Sequence, residues 1–272
     1  MSKKYINSVK INENQVKKKY NKNIIDIYDI FATTDFENYP KIIDLDDEFI
    51  TYEYIESKKY YEKIKGVEFI KLVSLMHSKT IFYKDVSKNK YKKIYNSLYG
   101  NIKYLKKYYL ELIDKIENEM FMSPSHYLFA RNYSAIQSNL NYAESTLKKW
   151  FKKVENKENE RVCVIHNNLS LKHFIKSDID YLVSFDGALV DTPILDLYKF
   201  YKKEGYKLNF KYLLKVYNEN MNLFDEEKLL LNVLLILPLK IEFVNDEYIN
   251  VVNLKNNFNY IYSSMNVVNE NK

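Results

Sequence analysis

The chain has 272 residues, of which 46% are hydrophobic and 29% charged, and a formal net charge of +6. These proportions exclude a disordered or fibrous protein, and the length fits one large domain or two smaller lobes. With only four glycines and four prolines, we expect few irregular segments and a predominance of helix. The single cysteine, Cys163, excludes a disulfide framework and a thiolate metal site.

The N-terminal residues and the apolar runs of the chain bear on the cellular compartment of the protein. Residues 1–15 are charged and contain no apolar signal segment, and the longest apolar run, Leu229 to Leu239, is too short to span a bilayer. The sequence therefore predicts no membrane span. Because it also lacks cysteine pairs, it predicts a reducing, cytoplasmic compartment.

Residues 1–57 are predicted to form a small lobe that contains strands. Tyr5 to Val16 alternates weakly, which fits either a hairpin or one irregular strand, and Ile24 to Phe31 has helical periodicity. Lys41 to Asp44 and Phe49 to Ile55 are predicted strands, because the second is rich in β-branched and aromatic residues. The character then changes, and we place a lobe boundary after residue 57.

Residues 58–272 are predicted to be mainly helical. A charge run from Lys152 to Glu160 is predicted to be a solvated loop. Lysines and tyrosines alternate near Tyr104 to Tyr108, which fits either a nucleic-acid surface or a helix face with solvated lysine ends, and we favour the second. The predicted helices are Ile64–His77, Tyr91–Met120, Ser123–Trp150, Phe210–Tyr217, Asp225–Leu237 and Val251–Ser263.

One stretch, residues 162–197, concentrates the polar residues that chemistry needs. A buried strand from Val162 to Ile165 leads into a polar loop, His166 to Lys172. A second strand is predicted from Tyr181 to Phe185, and a helix begins near Pro193. Polar residues that follow strands close together in sequence are typical of a site built on a rigid base. We therefore expect the functional site here.

The motifs of this stretch resemble a known superfamily. They are His166-Asn167-Asn168-Leu169, then His173, then Val183-Ser184-Phe185-Asp186, then Pro193-Ile194-Leu195-Asp196-Leu197. They are similar to the core of the aminoglycoside phosphotransferases and choline kinases, and most of all to bacterial spore-coat-associated kinase-like proteins. The resemblance implies an α+β fold of the protein kinase-like, two-lobe kind. Its N-terminal sheet lobe (1–57) is reduced, and its C-terminal lobe (58–272) is large and mainly helical.

The resemblance also implies which positions carry the chemistry. Asn168 stands at the position of the catalytic base, where an amide cannot accept a proton. His173 and Ser184 stand at the positions of the two magnesium ligands, and Asp186 follows closely as a candidate catalytic or metal-binding carboxylate.

Other positions imply nucleotide contact and support of the loop. The strand end at Glu53 and Ile55 occupies the position that contacts a nucleotide. His166 and Asp196 resemble residues that support the loop. His166 also fits a buried histidine whose hydrogen bonds are made within the core, and Asp196 also fits a residue that only caps the N-terminus of a helix. ATP and Mg²⁺ are implied as cofactors only if this site functions.

Two hypotheses follow. The first is a pseudokinase, a kinase-like scaffold that binds an unknown protein or small molecule without phosphoryl transfer. The alternative is an active ATP-dependent small-molecule kinase with displaced ligands, using Asp186 and Asp191. A transition-metal site at His166 and His173 lacks a third ligand nearby, and a nucleic-acid partner is not favoured.

Overall fold

The computed structural model describes residues 4–6, 9–12, 14–20, 23–59, 61, 64–87 and 89–268, with side chains from residue 14 onward. These residues divide into two compact units. The first contains the described residues up to Lys84 together with Arg161–Glu204 and Tyr212–Asn222. The second contains Asp85–Glu160, Gly205–Lys211 and the described residues from Leu223 onward. The lobe boundary that we placed after residue 57 stays a prediction.

Helices and strands are both present, which confirms the predicted α+β class. The strands are β1 (Lys4–Ile6), β2 (Val9–Asn12), β3 (Gln15–Lys19), β4 (Ile42–Leu45), β5 (Phe49–Glu53), β6 (Phe82–Asp85), β7 (Asn159–Ile165), β8 (Phe174–Lys176), β9 (Asp180–Leu182) and β10 (Leu189–Asp191). The helices are α1 (Asn23–Ala32), α2 (Lys65–Lys79), α3 (Lys90–Glu117), α4 (Pro124–Val154), α5 (Ile194–Lys203), α6 (Phe210–Asn220), α7 (Asp225–Ile236) and α8 (Glu247–Val268).

The first unit contains a five-stranded antiparallel sheet with the strand order β1-β2-β3-β5-β4. Its register places Val16 opposite Tyr52 and Lys18 opposite Ile50. Strand β5 lies between β3 and β4 and buries Ile50 and Tyr52, as its β-branched and aromatic composition predicts. The region around Tyr5 to Val16 therefore forms paired strands, in agreement with the hairpin alternative.

An aromatic cluster fixes α1 within the first unit. Its buried side chains recur at helical spacing and include Tyr28 and Phe31, which confirms the predicted helix. The Phe31 ring lies 4.7 Å from Tyr39 and 5.2 Å from Phe185, between ring centroids. Tilted and edge-on contacts of this kind add stability beyond the apolar area they bury. The cluster thus anchors Phe185, which lies inside the stretch expected to carry the site.

Several predicted boundaries were wrong. The strand predicted from Tyr181 to Phe185 ends at Leu182, and Phe185 begins a 3₁₀ turn. Strands β6, β8 and β10 were missed, because three or four residues are too few to show alternation. Helix α8 begins at Glu247 rather than Val251. The solvated loop predicted from Lys152 to Glu160 is present but shorter, because α4 continues to Val154 and β7 begins at Asn159.

The second unit is built mainly from the long helices α3 and α4 together with α7 and α8. Ser123 is the N-cap of α4, as predicted, since its Oγ accepts the His126 N–H at 3.3 Å and Pro124 follows it. Trp150 lies on the buried face of α4. Among the described residues, no helix is long and apolar enough to cross a bilayer.

Candidate functional site

The first unit contains a cavity of about 280 Å³ whose walls are mostly apolar. Strands β3 and β5 supply Val16 and Tyr52, α1 supplies Tyr28, and the segment around β8 and β9 supplies Ile175 and Val183. Ligand cavities are typically apolar, with a few polar groups that fix orientation. We therefore take this cavity as the candidate binding site.

The end of β5 forms one edge of the cavity and carries the predicted nucleotide-contacting residues Glu53 and Ile55. The Glu53 N–H donates to the Lys41 carbonyl and the Tyr54 N–H to the Asn14 carbonyl, each at 3.1 Å, on opposite sides of the strand. Strand β5 ends at Glu53, and Ile55 lies two residues further along the chain. Strand β4 begins only at Ile42, so the Ile55 amide lies beyond the paired part of the sheet.

The loop after β7 is held by one buried carboxyl group, that of Asp196 at the start of α5. Its two oxygens accept the backbone N–H groups of His166 and Asn167, each at 2.7 Å. Asn167 has a positive φ of 64°, a left-handed conformation that asparagine tolerates better than most residues. Asp196 therefore fixes the backbone of the loop that carries Asn168.

The support of Asp196 extends to two residues whose role the sequence did not reveal. His77 Nε2 lies 3.1 Å from Asp196 Oδ2, and His77 Nδ1 lies 2.7 Å from the hydroxyl oxygen of Tyr217. His77 and Asp196 are both fully buried. The one available signal in the sequence was the position of His77 on the apolar face of a predicted helix. A polar side chain that is buried needs a hydrogen-bond partner, so this position indicated that one exists.

Asn168, which was predicted to stand at the base position, is bound by a lysine. Lys203 Nζ donates to Asn168 Oδ1 at 3.1 Å, and Lys199 Nζ donates to the side-chain oxygen of the neighbouring Asn167. Both lysines lie on α5. Where a general base would present a carboxylate to a substrate hydroxyl, this loop presents amides that accept hydrogen bonds from two cations.

His173 and His166 stack on each other, with ring centroids 5.1 Å apart and planes 16° from parallel. Burial lowers the pKa of His173 to about 4, and the His166 ring and the Lys203 ammonium add to the effect. Burial also lowers the pKa of His166. His166 Nε2 donates to the Val183 carbonyl at 2.9 Å, while Nδ1 of each ring is buried and has no hydrogen-bond partner among the described residues.

Ser184 and Asp186 flank the anchored Phe185. Ser184 has a φ of 69°, and Asn167 is the other non-glycine residue with positive φ in the described chain. Such strained positions concentrate at functional sites. Asp186 lines the cavity and its carboxylate is paired with Lys18, whose Nζ lies 2.7 Å from Oδ1 and 2.8 Å from Oδ2.

These donors do not fit a magnesium ion. Mg²⁺ prefers oxygen ligands, and of the three expected positions His173 offers nitrogen, Ser184 a hydroxyl, and Asp186 a carboxylate already engaged by Lys18. The further candidate, Asp191, accepts the Thr192 N–H at 2.7 Å. Within the described residues, no three His, Cys, Asp or Glu side chains form a group that could hold a metal.

The stacked histidines do not fit a transition metal either. Imidazole nitrogens bind metals in the plane of the ring, and the planes of His166 and His173 are 16° from parallel, with ring centroids 5.1 Å apart. Their lone pairs therefore do not converge on one point.

Comparison with solved structures identifies the fold. An aminoglycoside phosphotransferase of Alicyclobacillus acidocaldarius superposes with a TM-score of 0.69 at 8% identity, over 99% of this chain and 91% of that one. A choline kinase of Streptococcus pneumoniae matches with a TM-score of 0.45 at 14% identity, over 96% and 89% of the two chains. No protein family model matches the sequence, and no curated protein matches it. The predicted kinase-like fold is confirmed, and at 8% identity the likeness extends to the fold alone.

Proposed function

We propose that this chain, which has the fold of the aminoglycoside phosphotransferases, is a pseudokinase that binds a small molecule or a protein and transfers no phosphoryl group. The observation that carries the proposal is Asn168, whose amide stands at the base position and accepts a hydrogen bond from Lys203. A protein of this kind uses the fold as a scaffold.

The chemistry of phosphoryl transfer supports this proposal. A carboxylate must orient the attacking hydroxyl, and magnesium ligands must neutralise the phosphates. Loss of a general base alone lowers the rate by roughly 10²–10⁴. Here a histidine nitrogen (His173) and an uncharged hydroxyl (Ser184) stand at the predicted metal-binding positions, so the electrostatic stabilisation that a metal supplies is lost as well.

The scaffold around these positions is nevertheless complete. Asp196 bonds the backbone of the loop, and His77 and Tyr217 support Asp196 from behind. Buried polar networks with satisfied partners rigidify a structure. A rigid loop without reactive groups fits a binding module better than a catalyst.

The alternative is an active ATP-dependent kinase in which Asp186 replaces the missing ligands. Its support is that Asp186 lines the cavity with its side chain about half exposed, at 48%. Its weakness is the ion pair with Lys18, which a metal would have to displace. From the cysteine content we also propose a cytoplasmic location. The two candidate functions differ in whether the protein turns over ATP.

A turnover assay separates them. We expect the full chain, with ATP and Mg²⁺ or Mn²⁺ and a panel of aminoglycosides, choline and ethanolamine, to release no more ADP than its Asp186→Ala variant. ADP release well above that variant would establish the alternative. As a positive control, the triple variant Asn168→Asp, His173→Asn, Ser184→Asp should gain Mg²⁺-dependent stabilisation by ATP, about 2.7 kcal/mol at a hundredfold excess over Kd.

A further inference from the structure

The cavity of the first unit has an unusual charge for a phosphate-binding site. Among the side chains that the structure describes, three charged ones line it: Lys18, Glu53 and Asp186. One is positive and two are negative, so together these three carry a net charge of −1. A ligand that carries several phosphates and no metal would enter a cavity of its own sign.

Lys18, the one cation among the described residues of the lining, is already neutralised. Lys18 Nζ contacts both carboxylate oxygens of Asp186, at 2.7 and 2.8 Å, and lies 5.2 Å from the centroid of the Tyr52 ring. Only 13% of the Lys18 side chain is exposed. A phosphate could bind this ammonium only by displacing Asp186. The displaced carboxylate would then lie beside the phosphate, and the two negative charges would repel each other.

Two tyrosines of the cavity have a raised pKa, and the charge of Asp186 is one of the causes in each. Burial raises the pKa of Tyr52, and the Asp186 carboxylate raises it further. Burial also raises the pKa of Tyr28, with Tyr52 and Asp186 among the additional causes. Both phenols thus remain uncharged hydroxyls.

The walls suit an apolar or aromatic ligand. Val16, Tyr28, Tyr52 and Val183 present apolar and aromatic surface, and the Ile55 amide at the edge lies beyond the paired part of β5. A volume of about 280 Å³ is near the lower end of the range of roughly 300–1,000 Å³ typical of ligand sites. That space suits a molecule of the size of a nucleoside.

We propose that this cavity binds a planar, uncharged heteroaromatic ligand of nucleoside size, without a phosphate and without a metal. The Lys18–Asp186 pair excludes phosphorylated forms of such a ligand. The proposal rests on the proposed function in one respect, since it assumes that no magnesium site forms at Asp186. It names the class of small molecule that the pseudokinase scaffold would take.

Calorimetric titration of the full chain in EDTA tests the proposal, with adenosine, guanosine, AMP, ADP and ATP as probes. We expect at least one nucleoside to bind, and its affinity to fall about tenfold or more on addition of the first phosphate and further with each one after. Failure of both nucleosides to bind overturns the proposal. So does ATP, with EDTA or with Mg²⁺, that binds as tightly as adenosine.

A charge variant tests the role assigned to the ion pair. Asp186→Asn leaves Lys18 without its carboxylate, so the penalty per phosphate should shrink about tenfold. Asp178→Asn is the matched control, because Asp178 pairs with Lys58 on the surface with its side chain 87% exposed, and it should leave the series unchanged. An unchanged phosphate penalty in Asp186→Asn contradicts the proposal. Turnover is measured separately, so the proposed function and this inference fail by different results.

Discussion

Replacement of Asp196 by alanine should be among the most destabilising single changes in the first unit. Its carboxyl group accepts hydrogen bonds from the backbone of His166 and Asn167 at 2.7 Å and contacts His77 Nε2 at 3.1 Å, with no solvent exposure. Each donor left buried without a partner costs about 1–3 kcal/mol. Since Asn167 is partly exposed and regains some hydration, we expect a total loss of about 3–5 kcal/mol in the free energy of unfolding.

Urea unfolding followed by far-ultraviolet circular dichroism measures this loss, by linear extrapolation of the free energy to water. Asp196→Asn should lose about half as much, because one oxygen remains while the new amide faces a backbone donor. Asp35→Ala is the control, because Asp35 pairs with Lys79 through a side chain that is 89% exposed, and it should change stability by less than about 0.5 kcal/mol. A loss below about 1 kcal/mol for Asp196→Ala would refute the supporting role of this residue.

Three further predictions concern other parts of the chain. Because the pKa values of His166 and His173 are lowered on folding, the latter to about 4, the unfolded chain binds more protons below its ordinary histidine pKa. The free energy of unfolding should therefore fall by about 1–2 kcal/mol, after solvent screening, as the pH is lowered from about 6.5 to 4. His173→Gln should remove most of this fall. The same pH dependence in the wild type and in the variant would contradict the prediction. Trp150→Ala should cost about 3–5 kcal/mol in thermal unfolding, since Trp150 is 2% exposed, whereas a cost below 1 kcal/mol would show that the site collapses. Glu247 accepts hydrogen bonds from the Ser125 N–H at 2.6 Å and from the Ser125 hydroxyl at 2.8 Å. Glu247→Ala should therefore cost about 1–2 kcal/mol in the free energy of unfolding and abolish hydrogen-exchange protection of the Ser125 amide. Unchanged protection would argue against these hydrogen bonds.

Long periodic segments were predictable because many residues repeat the same signal. Helix α1 and the body of α4 follow from buried residues at helical spacing, and β5 follows from its β-branched and aromatic content. The fold was predictable from the resemblance that the motifs around His166 and Asp196 carry to a known superfamily. The chemical identity of Asn168 could also be read directly, since the residue type alone decides whether a proton can be accepted.

The partners of the site could not be predicted. Lys18 and Asp186 are 168 residues apart in sequence, and Lys203 lies 35 residues from Asn168. In a chain so rich in lysine, nothing local distinguishes these lysines from solvated ones. Their roles depend on which strands and helices meet, and that is a property of the folded chain.

The division of the chain into units bears on how it folds during synthesis. The first unit is assembled from three separate segments, and roughly 76 residues separate Lys84 from its next segment at Arg161. At about 5–20 residues per second, a ribosome needs roughly 4–15 s to make that insert. The five strands of the N-terminal sheet lie between Lys4 and Glu53, but the first unit is completed only when its later segments have been made. The helical hairpin of α3 and α4 needs only contacts close in sequence, which form readily. The cavity is consequently among the later parts of a nascent chain to be completed, and strands β3 and β5, which line it, are exposed to chaperones for seconds beforehand.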